Sequence, residues 1–313
     1  MPRTGGSATL AGTMYGAIIG DLAGSRHEFA GTKRMDFLFP DERSFLTDDS
    51  ILTAATAEAI LEGSAAYPDY GAAYAKWALR YPNSGYGGRF REWIEAARSG
   101  RTPAPYGSFG NGSAMRVSPV GWLFDREDEV LEHAEASAAV THDHPEGIRG
   151  AQAVALAVFR ARGAVDASAE KIGSGGGAAG STGKAQSPSG AGTSSTTGSG
   201  ETSAGGGLAE EIASRFGYEL PGDLDEFCRT YTFDETCQGT LPAALACVRD
   251  ANDFEHAIRL AVSLGGDADT LACIVGSICE PLFGGVPDEL RRFARAKMPG
   301  DIRRLADTFD ELR

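Results

Sequence analysis

Apolar residues recur along this chain at intervals of three and four, the spacing of one face of an α-helix, and strict polar-apolar alternation is scarce. Ile51, Leu52, Ala55, Ala59 and Ile60 form one stripe; Ala257, Leu260, Ala261 and Leu264 form another, which Gly265-Gly266 brings to a stop. The same periodicity predicts helices over Leu10 to Leu22, Tyr70 to Arg80, Phe90 to Ser99, Ala114 to Phe124, Glu127 to Val140, Gly239 to Arg249, Thr270 to Leu282 and Asp288 to Lys297. Elements with one apolar face each must bury it against one another, so the expected class is all-α. Abundant Ala and Gly suit close helix-helix approach, and no repeat of fixed period points to a solenoid.

The pattern stops between Gly173 and Gly207, where the chain is almost entirely Gly, Ser, Thr and Ala and holds no aromatic or branched aliphatic side chain. Such a stretch has nothing to bury and is expected to be a disordered insertion. Its flanks, Gly147 to Ile172 and Leu208 to Tyr218, read as helices entering and leaving it. The expected organisation is therefore one domain over 1–313, with 173–207 as a long surface loop.

Composition narrows the function classes. With 43 acidic against 29 basic side chains the net charge is -14, which argues against general nucleic-acid binding because that requires a basic footprint. The five cysteines, Cys228, Cys237, Cys247, Cys273 and Cys279, include no CxxC pair and are expected to be reduced core thiols. Gly16, Gly20 and Asp21 interrupt the apolar run from Met14 to Ala23, and no charged leader precedes it. An intracellular, cytoplasmic protein without a membrane span is expected.

The candidate chemistry lies in two acidic clusters, Thr47-Asp48-Asp49-Ser50 and Gly265-Gly266-Asp267-Ala268-Asp269-Thr270, each opening an apolar helical run. One Asp or Thr suffices to cap a helix start, where its oxygens accept unpaired first-turn amides and its charge meets the positive end of the helix dipole. Three such residues at each of two starts exceed capping. If the clusters meet, their repulsion is relieved by protons or by a divalent cation, and oxygen donors of this kind suit Mg2+, Mn2+ or Ca2+ rather than zinc. The segment from Tyr106 to Arg116 carries Gly107, Gly110 and Gly112 ahead of helix formers. It serves equally as a structural turn or as a loop whose amides approach an anion. His142-Asp143-His144 lacks the further His or Cys ligands that zinc requires, so loop packing is the default for His142.

Taken in chain order, Gly16-Ala17-Ile18-Ile19-Gly20-Asp21-Leu22-Ala23-Gly24 with Glu28, Thr47-Asp48-Asp49, Gly110-Asn111-Gly112, Thr141-His142 and Gly266-Asp267-Ala268-Asp269-Thr270 resemble the ADP-ribosylglycohydrolase family. The resemblance spans nearly the whole chain outside the insertion. It implies an all-α multi-helix domain with a dinuclear Mg2+ cleft, Mn2+ being a possible substitute, and an ADP-ribosylated protein or small molecule as substrate. It makes Thr47, Asp48, Asp49, Asp267, Asp269 and Thr270 the metal ligands, with Asp48 and Asp269 also counted as catalytic. Glu28 becomes the acid/base residue, on a segment that closes over the substrate in some members. Gly107, Ser108, Phe109, Gly110 and Asn111 would hold the diphosphate and adenosine side, His142 the adenosine end, and Tyr86, Gly87 and Gly88 a loop near the phosphates. Some members place an acid near that loop, whereas Tyr86-Gly87-Gly88-Arg89-Phe90 offers none. A monomer is the expected state. Two other functions suit the same residues: an ADP-ribose-binding relative without activity, and a metal-dependent phosphoester or pyrophosphate hydrolase.

Overall fold

The computed structural model describes residues 14–63, 68–174 and 204–312, except for the side chains of 164–174 and 204. Fifteen α-helices are found among the described residues, and no strand; two residues, Gly110 and Thr236, form an isolated antiparallel bridge. In order they are α1 (Tyr15–Gly24), α2 (Asp48–Glu62), α3 (Tyr70–Arg80), α4 (Gly88–Arg98), α5 (Gly112–Met115), α6 (Ser118–Leu123), α7 (Glu127–Ala139) and α8 (Pro145–Ser174). After the insertion come α9 (Ala204–Phe216), α10 (Leu224–Thr230), α11 (Cys237–Asp250), α12 (Phe254–Leu264), α13 (Ala268–Leu282), α14 (Asp288–Lys297) and α15 (Gly300–Glu311). None of the described helices is long and apolar enough to cross a membrane.

The helix at the centre is α13, buried along its length and packed against α1 with the two running antiparallel. The contact depends on a stripe of glycine at every fourth position of α1. A Cβ on Gly16 would lie 2.2 Å from the Gly276 carbonyl oxygen, one on Gly20 2.0 Å from that of Ala272, and one on Gly24 2.3 Å from that of Ala268. Only glycine lets the two backbones touch in this way. The consequence reaches the site, because the closing end of α1, with Asp21, is pressed against the opening end of α13, with Asp267 and Asp269.

Several sequence expectations change at their edges. Residues 10–13 of the first expected helix lie outside the described residues, and the described helix runs on to Gly24. The single helix expected from Ala114 to Phe124 is two, α5 and α6, broken at Arg116 and Val117. Pro119, near the start of α6, has no amide to offer the Met115 carbonyl. That carbonyl instead accepts from Thr53 Oγ1 and Cys273 Sγ, each at 3.4 Å. The expected insertion is trimmed at both ends, since 173–174 belong to α8 and 204–207 to α9, while 175–203 lie outside the described residues. Tertiary packing outweighs the poor helix propensity of these glycines: a Cβ on Gly205 would lie 2.4 Å from the Val248 carbonyl oxygen of α11. Helices α10 and α15 were not anticipated; α15 seats Ile302, Ala306 and Phe309 in the core through a short amphipathic face. All five cysteines are free, and four of them are buried.

Candidate active site

Helices α2 and α13 begin side by side, and their first turns deliver the two acidic clusters to the floor of a cleft of about 530 Å³. Thr47 caps α2 by accepting from the Asp49 amide at 3.3 Å, while Asp267 precedes α13 on a turn in which Gly265 and Gly266 both have φ of 71°. That backbone is strained for any residue with a Cβ, and a Cβ on Gly266 would meet the Thr232 carbonyl oxygen at 3.0 Å. The glycine pair therefore aims Asp267 and Asp269 toward α2.

Cross-links join the two starts. Thr270 Oγ1 donates to Asp49 Oδ2 at 3.3 Å, and Thr47 Oγ1 lies 2.8 Å from Asp21 Oδ1 and 3.0 Å from Asp49 Oδ2. Asp21, fully buried on α1, accepts from the Thr47 amide at 3.0 Å and from the Ser50 amide and hydroxyl. One oxygen each from Asp21, Asp49 and Asp269 lie within 4.8 Å of one another, and so do oxygens from Glu28, Asp267 and Asp269. The two groups share Asp269. Asp48 belongs to neither; it faces the cleft beside Gly85, where a Cβ would stand 3.2 Å from its Oδ1.

The electrostatics of this floor are adverse as the side chains stand. Burial pushes the Asp21 carboxyl up to about 6 and Asp48 up to about 8, and raises Asp267. Asp49 and Asp269 are held well above the ordinary carboxylate range by burial and then by neighbouring carboxylates. Half-buried Glu28 is pushed up to about 7 by desolvation and by the negative charges of Asp267, Asp21 and Glu235. Asp49 Oδ1 and Asp269 Oδ1 are buried without a hydrogen-bond partner. Leaving such acceptors unpaired costs about 1–3 kcal/mol each, more when charged. Orphaned carboxylate oxygens beside threonine hydroxyls are hard donors and fit a divalent cation of the Mg2+ type.

The remaining predicted residues are distributed unevenly. Gly87, Gly88, Ser108, Phe109, Gly110, Asn111 and His142 line the same cleft as the acids. Tyr86 and Gly107 do not. Tyr86 is buried behind the wall with its ring 5.4 Å from Phe90, because the apolar ring finds more contact there than at the opening. Gly107 turns away to donate its amide to Asp143 Oδ1 at 2.6 Å. Asn111 has a structural use: both hydrogens of its amide are engaged, one by Asp267 Oδ2 at 2.8 Å and one by Thr240 Oγ1 at 3.0 Å. His142 is buried beneath the glycine loop, its Nδ1 2.7 Å from Thr141 Oγ1. Burial, with Arg116 and Arg89 beside it, keeps the ring neutral far below the usual imidazole range. A Cβ on Gly112 would crowd His142 Nε2 at 3.2 Å, so the glycine there serves packing.

Residues without an assigned role from sequence also belong to the site. Asp21 was visible as an acid inside an apolar helical run, a placement that burial alone disfavours. Arg89, Arg116, Glu235 and the exposed rings of Phe29, Phe45 and Phe233 complete the walls, and no local pattern marked them.

Fold and site together define an all-helical protein with an acidic, metal-competent cleft. The family model for ADP-ribosylglycohydrolase matches residues 7–313, and the chain belongs to that family. It is 27% identical to the mouse ADP-ribosylhydrolase ARH3, with 87% of this chain and 83% of that protein covered. It is 26% identical to the uncharacterized protein YegU of Escherichia coli K12, with 87% of each covered. A solved structure described as an ADP-ribosylglycohydrolase-related protein complex superposes with a TM-score of 0.63 over 96% of both chains; at 21% identity it supports the fold.

Proposed function

We propose that this protein is a Mg2+-dependent hydrolase that cleaves the glycosidic bond between ADP-ribose and an acceptor, a protein side chain or a small conjugate, and releases ADP-ribose. One observation carries the reading: two helix starts of a chain in this family converge their oxygens in one cleft and leave Asp49 Oδ1 and Asp269 Oδ1 buried and unpartnered. Thr47, Asp48, Asp49, Asp267, Asp269 and Thr270 would hold two Mg2+ ions, or Mn2+ in their place, with Asp21 bracing Thr47 and Ser50 from behind. Bound there, the ions would supply positive charge against the ribose hydroxyls and acidify a water.

Rupture at an anomeric carbon passes through an oxocarbenium-like state and needs a proton for the departing group. Glu28 lines the cleft and lies within reach of Asp267 and Asp269, and its carboxyl, pushed up to about 7 chiefly by desolvation, is suited to carry that proton. The Phe109 ring, 43% exposed, offers an aromatic face to adenine, with neutral His142 beneath the loop. Ser108, Gly110, Gly87 and Gly88 present the polar and backbone wall on which a diphosphate rests. The domain acts as a monomer inside the cell, on its own fold over 1–313.

A panel of ADP-ribosylated substrates, carrying arginine, serine, acetyl or nucleic-acid acceptors, tests this in Mg2+ and in EDTA. ADP-ribose should appear only with Mg2+. AMP with ribose phosphate would locate the cut in the diphosphate instead, and a panel left intact under both conditions would make the chain a binding protein.

A further inference from the structure

The cleft is unbalanced in charge. Six acids line it, Glu28, Asp48, Asp49, Glu235, Asp267 and Asp269, against two basic side chains, Arg89 and Arg116. Arg116 is 1% exposed and already engaged: its guanidinium donates to the Ser137 carbonyl at 3.0 Å and Thr141 Oγ1 at 2.9 Å and lies 4.1 Å from the centre of the Tyr74 ring. Arg89 differs. It is exposed, it sits in the first turn of α4, and its guanidinium is held in place by the Tyr106 carbonyl and by the face of the Tyr106 ring, 4.8 Å from its centre. A guanidinium has five N–H donors, and these contacts leave a hydrogen-bonding edge free. Gly87 and Gly88 beside it are open, since a Cβ at either would meet nothing within 4 Å.

Resting on the function proposed above, we infer that Arg89 is a phosphate-binding residue of this cleft, donating to the diphosphate from the Tyr106 wall. The placement has a physical reason. Ions held by the aspartates would serve the ribose hydroxyls, so the diphosphate needs a counter-charge of its own, and Arg89 is the exposed basic side chain in the lining that can supply it. Its preformed contact with Tyr106 lowers the entropy lost on binding. Arg89 and Arg116 both act on Tyr106 and His142, while the charges that act on Glu28 are all negative.

Calorimetric titration in Mg2+ with ADP-ribose and with adenosine, on wild type, Arg89→Gln and Arg89→Lys, tests the assignment. Arg89→Gln should weaken ADP-ribose by about 10- to 100-fold, the loss of a charge-assisted contact. Adenosine should be unaffected, Arg89→Lys should recover part of the loss, and in turnover KM should rise with kcat unchanged. Unchanged ADP-ribose affinity in Arg89→Gln would overturn the inference and leave the proposed function standing. An equal loss for adenosine would also overturn it, reducing Arg89 to a packing role on Tyr106. If the wild type bound no ADP-ribose, the proposed function would fall and this inference with it.

Discussion

Withdrawing the cation should leave this protein with a stability that depends on pH in a distinctive way. The acids at and behind the floor of the cleft have carboxyls raised above their unfolded values, buried Asp21 from the ordinary 3.8 to about 6 and partly exposed Asp48 to about 8. For a raised acid the sign is the reverse of a salt-bridged one. Below the unfolded value both states are protonated and nothing is lost. As pH climbs past it the unfolded chain ionises first, stability falls, and the penalty is complete above the folded value. For fully buried Asp21 a rise of about two units corresponds to about 3 kcal/mol, present above about pH 6. A divalent cation removes such penalties by replacing the protons, so its affinity must grow with pH. At a hundredfold excess over Kd one ion adds about 2.7 kcal/mol. With an unfolding entropy of about 0.6 kcal/mol/K for a chain of 313 residues, each ion raises Tm by about 4–5 °C. The assay is scanning calorimetry in EDTA and in Mg2+ at about pH 5 and about pH 8. The Mg2+ shift should be small at the lower pH and approach twice the single-ion value at the higher, and Asp269→Asn, which lies in both oxygen groups, should abolish most of it. A shift absent at about pH 8, one independent of pH, or one intact in Asp269→Asn would refute the reasoning.

Three further outcomes follow from particular contacts. Gly20→Ala places a Cβ 2.0 Å from the Ala272 carbonyl oxygen, so α1 and α13 must part; denaturant unfolding should show a loss of about 3 kcal/mol or more, with Mg2+ affinity falling alongside. Glu28→Gln should lower kcat by about 10²–10⁴ with little change in KM, and the limb of the pH-rate profile that falls as Glu28 loses its proton should vanish; a change confined to KM would make Glu28 a gate and not a proton donor. Glu280, buried on α13 and accepting the Gly16 amide at 2.7 Å, is pushed well above the ordinary range by burial. Its contribution is therefore lost as pH rises above its unfolded value, and Glu280→Gln should stabilise the protein at about pH 7 and leave it unchanged at about pH 4, as read by thermal melts.

Much of this architecture was legible in the chain because its causes are local. Helix stripes depend on residues three and four apart, so α3, α7 and α14 fall within a residue of their expected limits. The acidic clusters were legible for the same reason: Thr47, Asp48 and Asp49, and Asp267 and Asp269, hold positions that the first turn of a helix imposes on its own neighbours. Misplaced elements had distant causes. The glycine-rich start of α9 is helical because Val248 packs on it, and the break before α6 leaves a carbonyl that Thr53 and Cys273 satisfy from other helices.

By itself, then, the sequence determined most of the helical segments, though not α10 and α15, where oxygen-bearing residues stand at helix starts, and that no basic footprint accompanies them. The tertiary structure alone decided that Thr270 meets Asp49 across 221 positions, that Asp21 reaches Thr47 through a glycine contact between α1 and α13, and that Asn111 restrains Asp267. It also set Arg89 against Tyr106 and turned Tyr86 and Gly107 away from the cleft. Periodicity and capping act within a turn or two of helix, whereas a site is made where separate turns converge, and that convergence is fixed by close packing between helices far apart in the chain.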